Sequence, residues 1–260
     1  MITFPNISPV AFSIGSLEVR WYALAYIIGA LIAFWYIKVL NKQSKIISAH
    51  LATKFFDDLL FYVLIGIIVG GRLGYVLFYG LSYYLQHPLS IFALWEGGMS
   101  YHGGLLGVSL AAYLLGRKYQ KSFLQITDII APAMPIGLFL GRIANFINGE
   151  LYGKLTDVSW GVVFPNVIGP RHPSQLYEAF FEGIVLFIIL YYLWHKKLYL
   201  KVGFISAYTI ILYGIFRFLV EFFRVGEIYF FNLISMGQVL SLIMIIIGLV
   251  LLQWLIFKKH

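Results

Sequence analysis

The chain of 260 residues has no cysteine. That excludes disulfide staples, thiolate metal sites and a cysteine nucleophile of its own, and it removes redox chemistry as a guide to compartment. Charge is scarce too: Asp, Glu, Lys and Arg together make up 12%, about half the share of an ordinary globular protein. With no soluble domain to carry a basic face, the formal net charge of +8 does not point to nucleic acid. No two histidines stand four apart, so the helical spacing of a metal site is missing and no metal is expected. Fixed-period repeats, low-complexity tracts and linkers are absent, and the chain reads as one domain from 1 to 260. Met1–Leu17 lacks a basic n-region and a small-residue cleavage site, so the first hydrophobic run is expected to stay in the membrane.

What the chain has in excess is apolar surface. Hydrophobic residues reach 61% and aromatics 18%, the composition of an integral membrane protein. Runs of about 20 apolar residues cross a bilayer as helices. They predict an all-α polytopic protein of seven spans: Val19–Leu40, Phe55–Tyr79, Met99–Gly116, Phe123–Phe146, Pro173–Trp194, Val202–Phe222 and Met236–Phe257. The third is short and glycine-rich. The fourth contains Pro132 and Pro135, which should kink it.

Lysines orient the chain. Lys38, Lys42, Lys45 and Lys54, then Lys118 and Lys121, then Lys196, Lys197 and Lys201, and finally Lys258 and Lys259 fall with Arg117 on one side, which the positive-inside rule makes cytoplasmic. His50, His195 and His260 fall on that side as well. The N-terminus is then outside and the C-terminus inside. Six of the seven arginines, Arg20, Arg72, Arg142, Arg171, Arg217 and Arg224, fall in the outer half or the outer loops. Two outer segments are too long for tight turns, at about 80–98 and 148–172, the first reading as interfacial. Gly66, Gly70 and Gly74 form one stripe on the second span, a pattern that lets two helices approach closely.

Three constellations could carry chemistry. Gly141–Gly153 packs Arg142, Asn145, Asn148, Glu150 and three glycines into thirteen positions at a membrane boundary. Arg142 and Asn145, three apart, share a helix face and present a planar cationic fork beside an amide, which suits a cluster of anionic oxygens. Ser100-Tyr101-His102-Gly103-Gly104 opens the third span, where the positive end of a helix macrodipole keeps an imidazole neutral and available as a base. The glycines there would let a ligand approach the backbone. The sixth span puts Tyr213, Arg217, Glu221 and Arg224 on one face. An arginine at membrane depth needs a partner or a water-filled cavity. Tyr26 adds a hydroxyl near the same depth.

Taken together these motifs closely resemble the bacterial prolipoprotein diacylglyceryl transferase family over nearly the whole chain. The resemblance implies transfer of the diacylglyceryl group from phosphatidylglycerol to the lipobox cysteine of a prolipoprotein signal peptide, with a thioether formed and glycerol phosphate released. It implies no cofactor and an active site toward the outer leaflet of the inner membrane. It places functional residues at Tyr26, His102, Arg142, Asn145, Glu150, Gly153, Tyr213, Arg217 and Glu221. In the expected division of roles His102 is the base, and Arg142, Asn145 and Arg217 clamp phosphate. Glu150 and Glu221 orient the arginines, and the tyrosines hold the headgroup. The competing class is an anion or lipid transporter, which could also line a cavity with arginines; the related halves common in transporters are not found.

The orientation has a direct test, because no native thiol interferes. Lys154→Cys should label from outside intact cells and Lys197→Cys only from the cytoplasmic side; labelling of both from outside would reverse the topology.

Overall fold

The computed structural model describes residues 1–5, 7–225, 229–230 and 234–258, with backbone alone at Leu17, Tyr101, Tyr229 and Phe230. Lys259 and His260 lie outside the described residues. In chain order the helices are α1 (Trp21–Ser44), α2 (Ala49–Tyr79), α3 (Leu81–Gln86), α4 (Tyr101–Lys118), α5 (Phe123–Ile130), α6 (Met134–Ile147), α7 (Ser174–Glu178), α8 (Leu186–His195), α9 (Phe204–Glu221) and α10 (Met236–Phe257). A 3₁₀ turn, Ala131–Ala133, joins α5 to α6, and a π-helical stretch, Ala179–Val185, joins α7 to α8.

Among the described residues six helical segments are long and apolar enough to cross a membrane, and the protein is a polytopic all-α membrane protein. They coincide with six of the seven predicted spans. The remaining one is present as α4, an 18-residue helix that is not among the six. Its apolar face is diluted by glycines, by His102 and by Arg117 and Lys118 in its last turn.

Boundaries shift where local chemistry overrides hydropathy. Val19 and Arg20 belong to an antiparallel hairpin, Val10–Ile14 with Leu17–Arg20, and helix begins only at Trp21. The amide of Trp21 donates to Pro9 at 3.1 Å. The fourth span keeps its two prolines: Pro132 sits within the 3₁₀ turn and Pro135 in the first turn of α6, where a missing N–H costs little. Ile2–Thr3 near the N-terminus and Val162–Val163 in the loop between α6 and α7 pair as a short parallel ladder.

The contacts gather into two compact units: Leu40–Thr127, and Met1–Val39 together with Asp128–His260. In the first, α2 packs along α4 through glycines. A Cβ placed on Gly70 would come within 3.0 Å of the Gly107 Cα, and one on Gly74 within 2.7 Å of the Gly103 Cα. The predicted stripe therefore meets a matching one, Gly103 and Gly107, and backbones touch because nothing stands between them. That corrects the reading of Gly103 as room for a ligand, since α2 fills the room.

Arg72 is also not a site residue. Its buried guanidinium donates to the carbonyls of Ser90, Ile91, Ala93 and Gly98 at 2.6, 2.8, 3.1 and 3.2 Å. An arginine has five donors in a rigid fork, and here they supply the partners that an irregular backbone lacks, pinning the segment around Pro88–Glu96. At the other end Asp58 accepts from Tyr119 at 2.5 Å and pairs with Lys118 at 2.7 Å. Burial, with the Asp58 bond second, raises the Tyr119 phenol above its usual range.

In the second unit, α9 is capped from outside itself. Asp128, 1% exposed, accepts from the amides of Gly203 and Ser206 at 2.5 and 2.8 Å and from the Ser206 hydroxyl at 2.7 Å. A carboxylate at a helix N-terminus satisfies orphan N–H groups and meets the positive end of the macrodipole. Ser235 and Gln238 close a reciprocal capping box on α10.

Overpacking a tight backbone contact costs about 1–3 kcal/mol. Gly74→Leu should therefore lower the thermal unfolding midpoint in detergent by several degrees. Gly104→Ala, whose added methyl would meet nothing nearer than 3.8 Å, should leave it unchanged; equal midpoints would mean the stripe is not the contact that matters.

Candidate active site

The stretch Gly141–Gly153 is built from a helix end. α6 stops at Ile147, and the chain reverses through Gly149 at φ +67°. The amide of Gly149 returns to Phe146 at 2.9 Å and that of Glu150 to Asn145 at 3.1 Å, the paired bonds of a Schellman cap. This reversal folds Glu150 back onto the last turn, where its carboxylate accepts from Asn145 at 2.8 Å and from Asn148 at 3.2 Å. Gln175 of α7 donates to the Glu150 backbone carbonyl at 2.5 Å. Glu150 thus holds asparagines, where the sequence suggested that it orients arginines.

Arg142, one turn earlier, points elsewhere. Its Nε lies 3.2 Å from Glu178 Oε2 and its Nη2 4.0 Å from Glu182 Oε2. Both glutamates are fully buried. They sit four residues apart at the start of the π-helical stretch, which the close seating of Gly183 accompanies: a Cβ there would fall 2.7 Å from that of Phe139. Such widened turns occur mostly as single interruptions of α-helices, frequently at functional sites.

The predicted polar face of α9 closes the cluster. Arg217 pairs with Glu178, lies 3.7 Å from Glu182 and reaches Glu221 at 2.8 Å. Arg224, just past the helix, pairs with Glu178 and with Glu221 at 3.4 Å. Glu221 also accepts from Ser235 at 3.0 Å. A Cβ on Gly237 would sit 2.5 Å from the Glu221 carboxylate, so a glycine there makes room for it. Three guanidiniums and three carboxylates therefore interlock, and their formal charges cancel. The arginines keep 20, 17 and 16% of their side chains exposed (Arg142, Arg217, Arg224), against 0, 0 and 5% for Glu178, Glu182 and Glu221. Positive charge is at the surface of the cluster and negative charge beneath it. Interleaving with cations also makes these carboxylates poor ligands for a metal ion.

Other predicted residues flank this centre. Tyr213, one turn before Arg217, is in electrostatic contact with it. Tyr26 pairs its hydroxyl with that of Tyr22 at 2.9 Å and is in electrostatic reach of Arg142 and Glu150. Gly153 is enclosed: its amide donates to the His172 carbonyl at 2.8 Å, its backbone bridges to Arg224, and a Cβ would lie 2.8 Å from that of His172. It allows the loop after α6 to lie against the backbone of Phe223 and Arg224. His172 shares a hydrogen bond with Tyr177 at 3.1 Å, and Trp160 donates to that hydroxyl at 2.8 Å. Burial holds the His172 imidazole below the usual histidine value; Asp157 opposes this and Lys154 adds to it.

His102 belongs to the other unit. It is the second residue of α4, exposed, in the first turn capped by Ser100, whose hydroxyl accepts from the Gly103 amide at 3.2 Å. That is the helix-N-terminal placement expected for it.

Residues 9–254 match the family described as prolipoprotein diacylglyceryl transferase. The chain belongs to that family. Relatives named phosphatidylglycerol–prolipoprotein diacylglyceryl transferase include those of Rickettsia felis and Rickettsia rickettsii, each 52% identical over 95% of this chain and 96% of the relative. Another, from Nitratidesulfovibrio vulgaris, is 46% identical over 97% and 96%.

Glu178 and Glu182, the deepest members of the arginine–glutamate cluster, are not among the residues singled out from sequence. The rule that marked Arg217 applies to them equally, since two acids inside an otherwise apolar span demand partners. Removing one partner of a buried ionic network typically costs about 3–5 kcal/mol. Glu178→Ala, which strips all three arginines of their shared acceptor, should lower the unfolding midpoint and membrane abundance far more than Glu150→Ala; comparable stability of the two would mean that Glu178 is not central.

Proposed function

We propose that the chain transfers the diacylglyceryl group of phosphatidylglycerol to the lipobox cysteine thiol of a prolipoprotein signal peptide. The supporting observation is the layering of charge at the cluster, with partly open guanidiniums over fully buried carboxylates. An incoming phosphodiester meets Arg142 and Arg217 first, and Glu178, Glu182 and Glu221 hold those forks in position. Asn145, Glu150, Tyr26 and Tyr213 surround the headgroup, and Gly153 sets the loop that carries Arg224.

The chemistry follows from charge flow. A thiolate is the nucleophile, and an ordinary thiol near pKa 8.5 needs a base to form it at neutral pH. The family resemblance puts His102, in the first turn of α4, forward for that role. Sulfur attacks the glyceryl carbon, the carbon–oxygen bond to phosphate breaks, and glycerol phosphate leaves with added negative charge. Preorganised arginines stabilise that charge more in the transition state than in the substrate. The absence of cysteine is consistent with this, because the reacting thiol belongs to the peptide. In the proposed topology α4 is the seventh crossing, the N-terminus is outside, and the site faces the outer leaflet of the cytoplasmic membrane.

Purified protein incubated with phosphatidylglycerol and a lipobox peptide should raise the peptide mass by one diacylglyceryl group. Lysine in place of Arg142 keeps the charge but loses the paired hydrogen bonds of the fork, so Arg142→Lys should remain membrane-inserted and lose about 10²–10³ in transfer rate. Turnover within about threefold of the parent at equal abundance would remove Arg142 from the clamp, since the donor loss would not then be occurring.

A further inference from the structure

Glu182 is the carboxylate of the cluster that no described hydrogen bond reaches. Its side chain is fully buried, and neither carboxylate oxygen accepts a hydrogen bond from any described residue. By contrast, Glu178 accepts from Arg217 and Arg224, and Glu221 accepts from Ser235. The groups that face Glu182 are Arg142 from α6, Glu178 one turn before it, Arg217 from α9 and Arg224 beyond that helix. Its nearest cations are Arg217 at 3.7 Å and Arg142 at 4.0 Å, contact distances too long for a hydrogen bond.

Those two arginines are the ones assigned to the lipid phosphate, and the inference rests on that reading. The free cluster has three positive and three negative groups. A bound phosphodiester adds one negative charge, and it draws on the same guanidiniums that offset Glu182. In a poorly solvated interior, an additional uncompensated charge at this range is strongly disfavoured. The cluster can relieve it at its weakest point, by neutralising the carboxylate that has the fewest partners.

We propose that Glu182 takes up a proton from solvent when lipid phosphate binds at Arg142 and Arg217, and releases it when the anionic product leaves. Glu182 is then a positioning residue: ionised, it holds the two forks in the empty site, and protonated, it yields them to the phosphate. It does not touch the reacting atoms.

The test is calorimetric titration of the purified full-length protein with short-chain phosphatidylglycerol, in buffers of different ionisation enthalpy, which counts protons. The parent protein should take up about one proton per lipid, and its affinity should fall by up to about tenfold per pH unit as pH rises. Glu182→Gln, whose amide copies the neutral acid, should take up about one proton fewer, bind with a flatter pH profile, and bind more tightly at alkaline pH. His102 and His172 are present in both proteins, so their titration cancels in the difference. Lipid that binds the parent and Arg142→Ala equally overturns the clamp and the inference with it. Lipid that needs Arg142 but binds without proton uptake overturns the inference alone. Should Glu182→Gln fail to fold, the count is repeated on the parent carrying His102→Gln and His172→Gln: uptake that persists upholds the inference, and uptake that disappears overturns it.

Discussion

The unit formed by Met1–Val39 and Asp128–His260 depends on keeping three guanidiniums and three carboxylates together among apolar helices. Each charge alone would be costly in hydrocarbon, and each is held there by the others. Glu178 is the hub: it is fully buried and meets Arg142, Arg217 and Arg224. The arrangement is neutral as a whole and asymmetric in depth, with acids sealed and bases partly open. Under the proposed function, an anion would meet cations already held in orientation, the condition under which fixed charges are most effective in catalysis.

Much of the surrounding backbone makes sense as the means to that placement. The π-helical stretch after α7 carries Glu182 and begins immediately after Glu178. The Schellman reversal at Gly149 turns the chain after Asn145 and sends Glu150 to the asparagines, which leaves Arg142 to the glutamates. Asp128 caps α9 at the end opposite to Arg217 and Glu221, and the capping box of α10 brings the Ser235 hydroxyl to Glu221. Glycines 153 and 237 are needed where a side chain would collide with His172 and the Phe223 carbonyl or with the Glu221 carboxylate.

The unit formed by Leu40–Thr127 is organised on different grounds. Its helices are held by backbone contact between glycine stripes, and the segment around Pro88–Glu96 is held by one arginine that serves carbonyl groups. Arg72 and Arg142 are the same residue type at comparable places in the sequence pattern, yet the first satisfies irregular backbone and the second faces acids. Polar residues in an apolar chain mark a need for partners; they do not say which need.

By itself the sequence determined the class of protein, six of the apolar spans and the polar face of α9, because these depend on periodicity and on the rarity of charge in hydrocarbon. Its family motifs also pointed to the chemistry that the relatives' names carry. Tertiary structure alone decided who pairs with whom. Glu150 turns to asparagines, Gly103 to another helix and Arg72 to carbonyls, while Glu178 and Glu182, unmarked by any motif reading, hold the arginines. Spacing along one helix shows which side chains share a face, but it contains no information about which helix that face will meet. In a membrane interior, where every charge must find a partner, that meeting sets the electrostatics of the site.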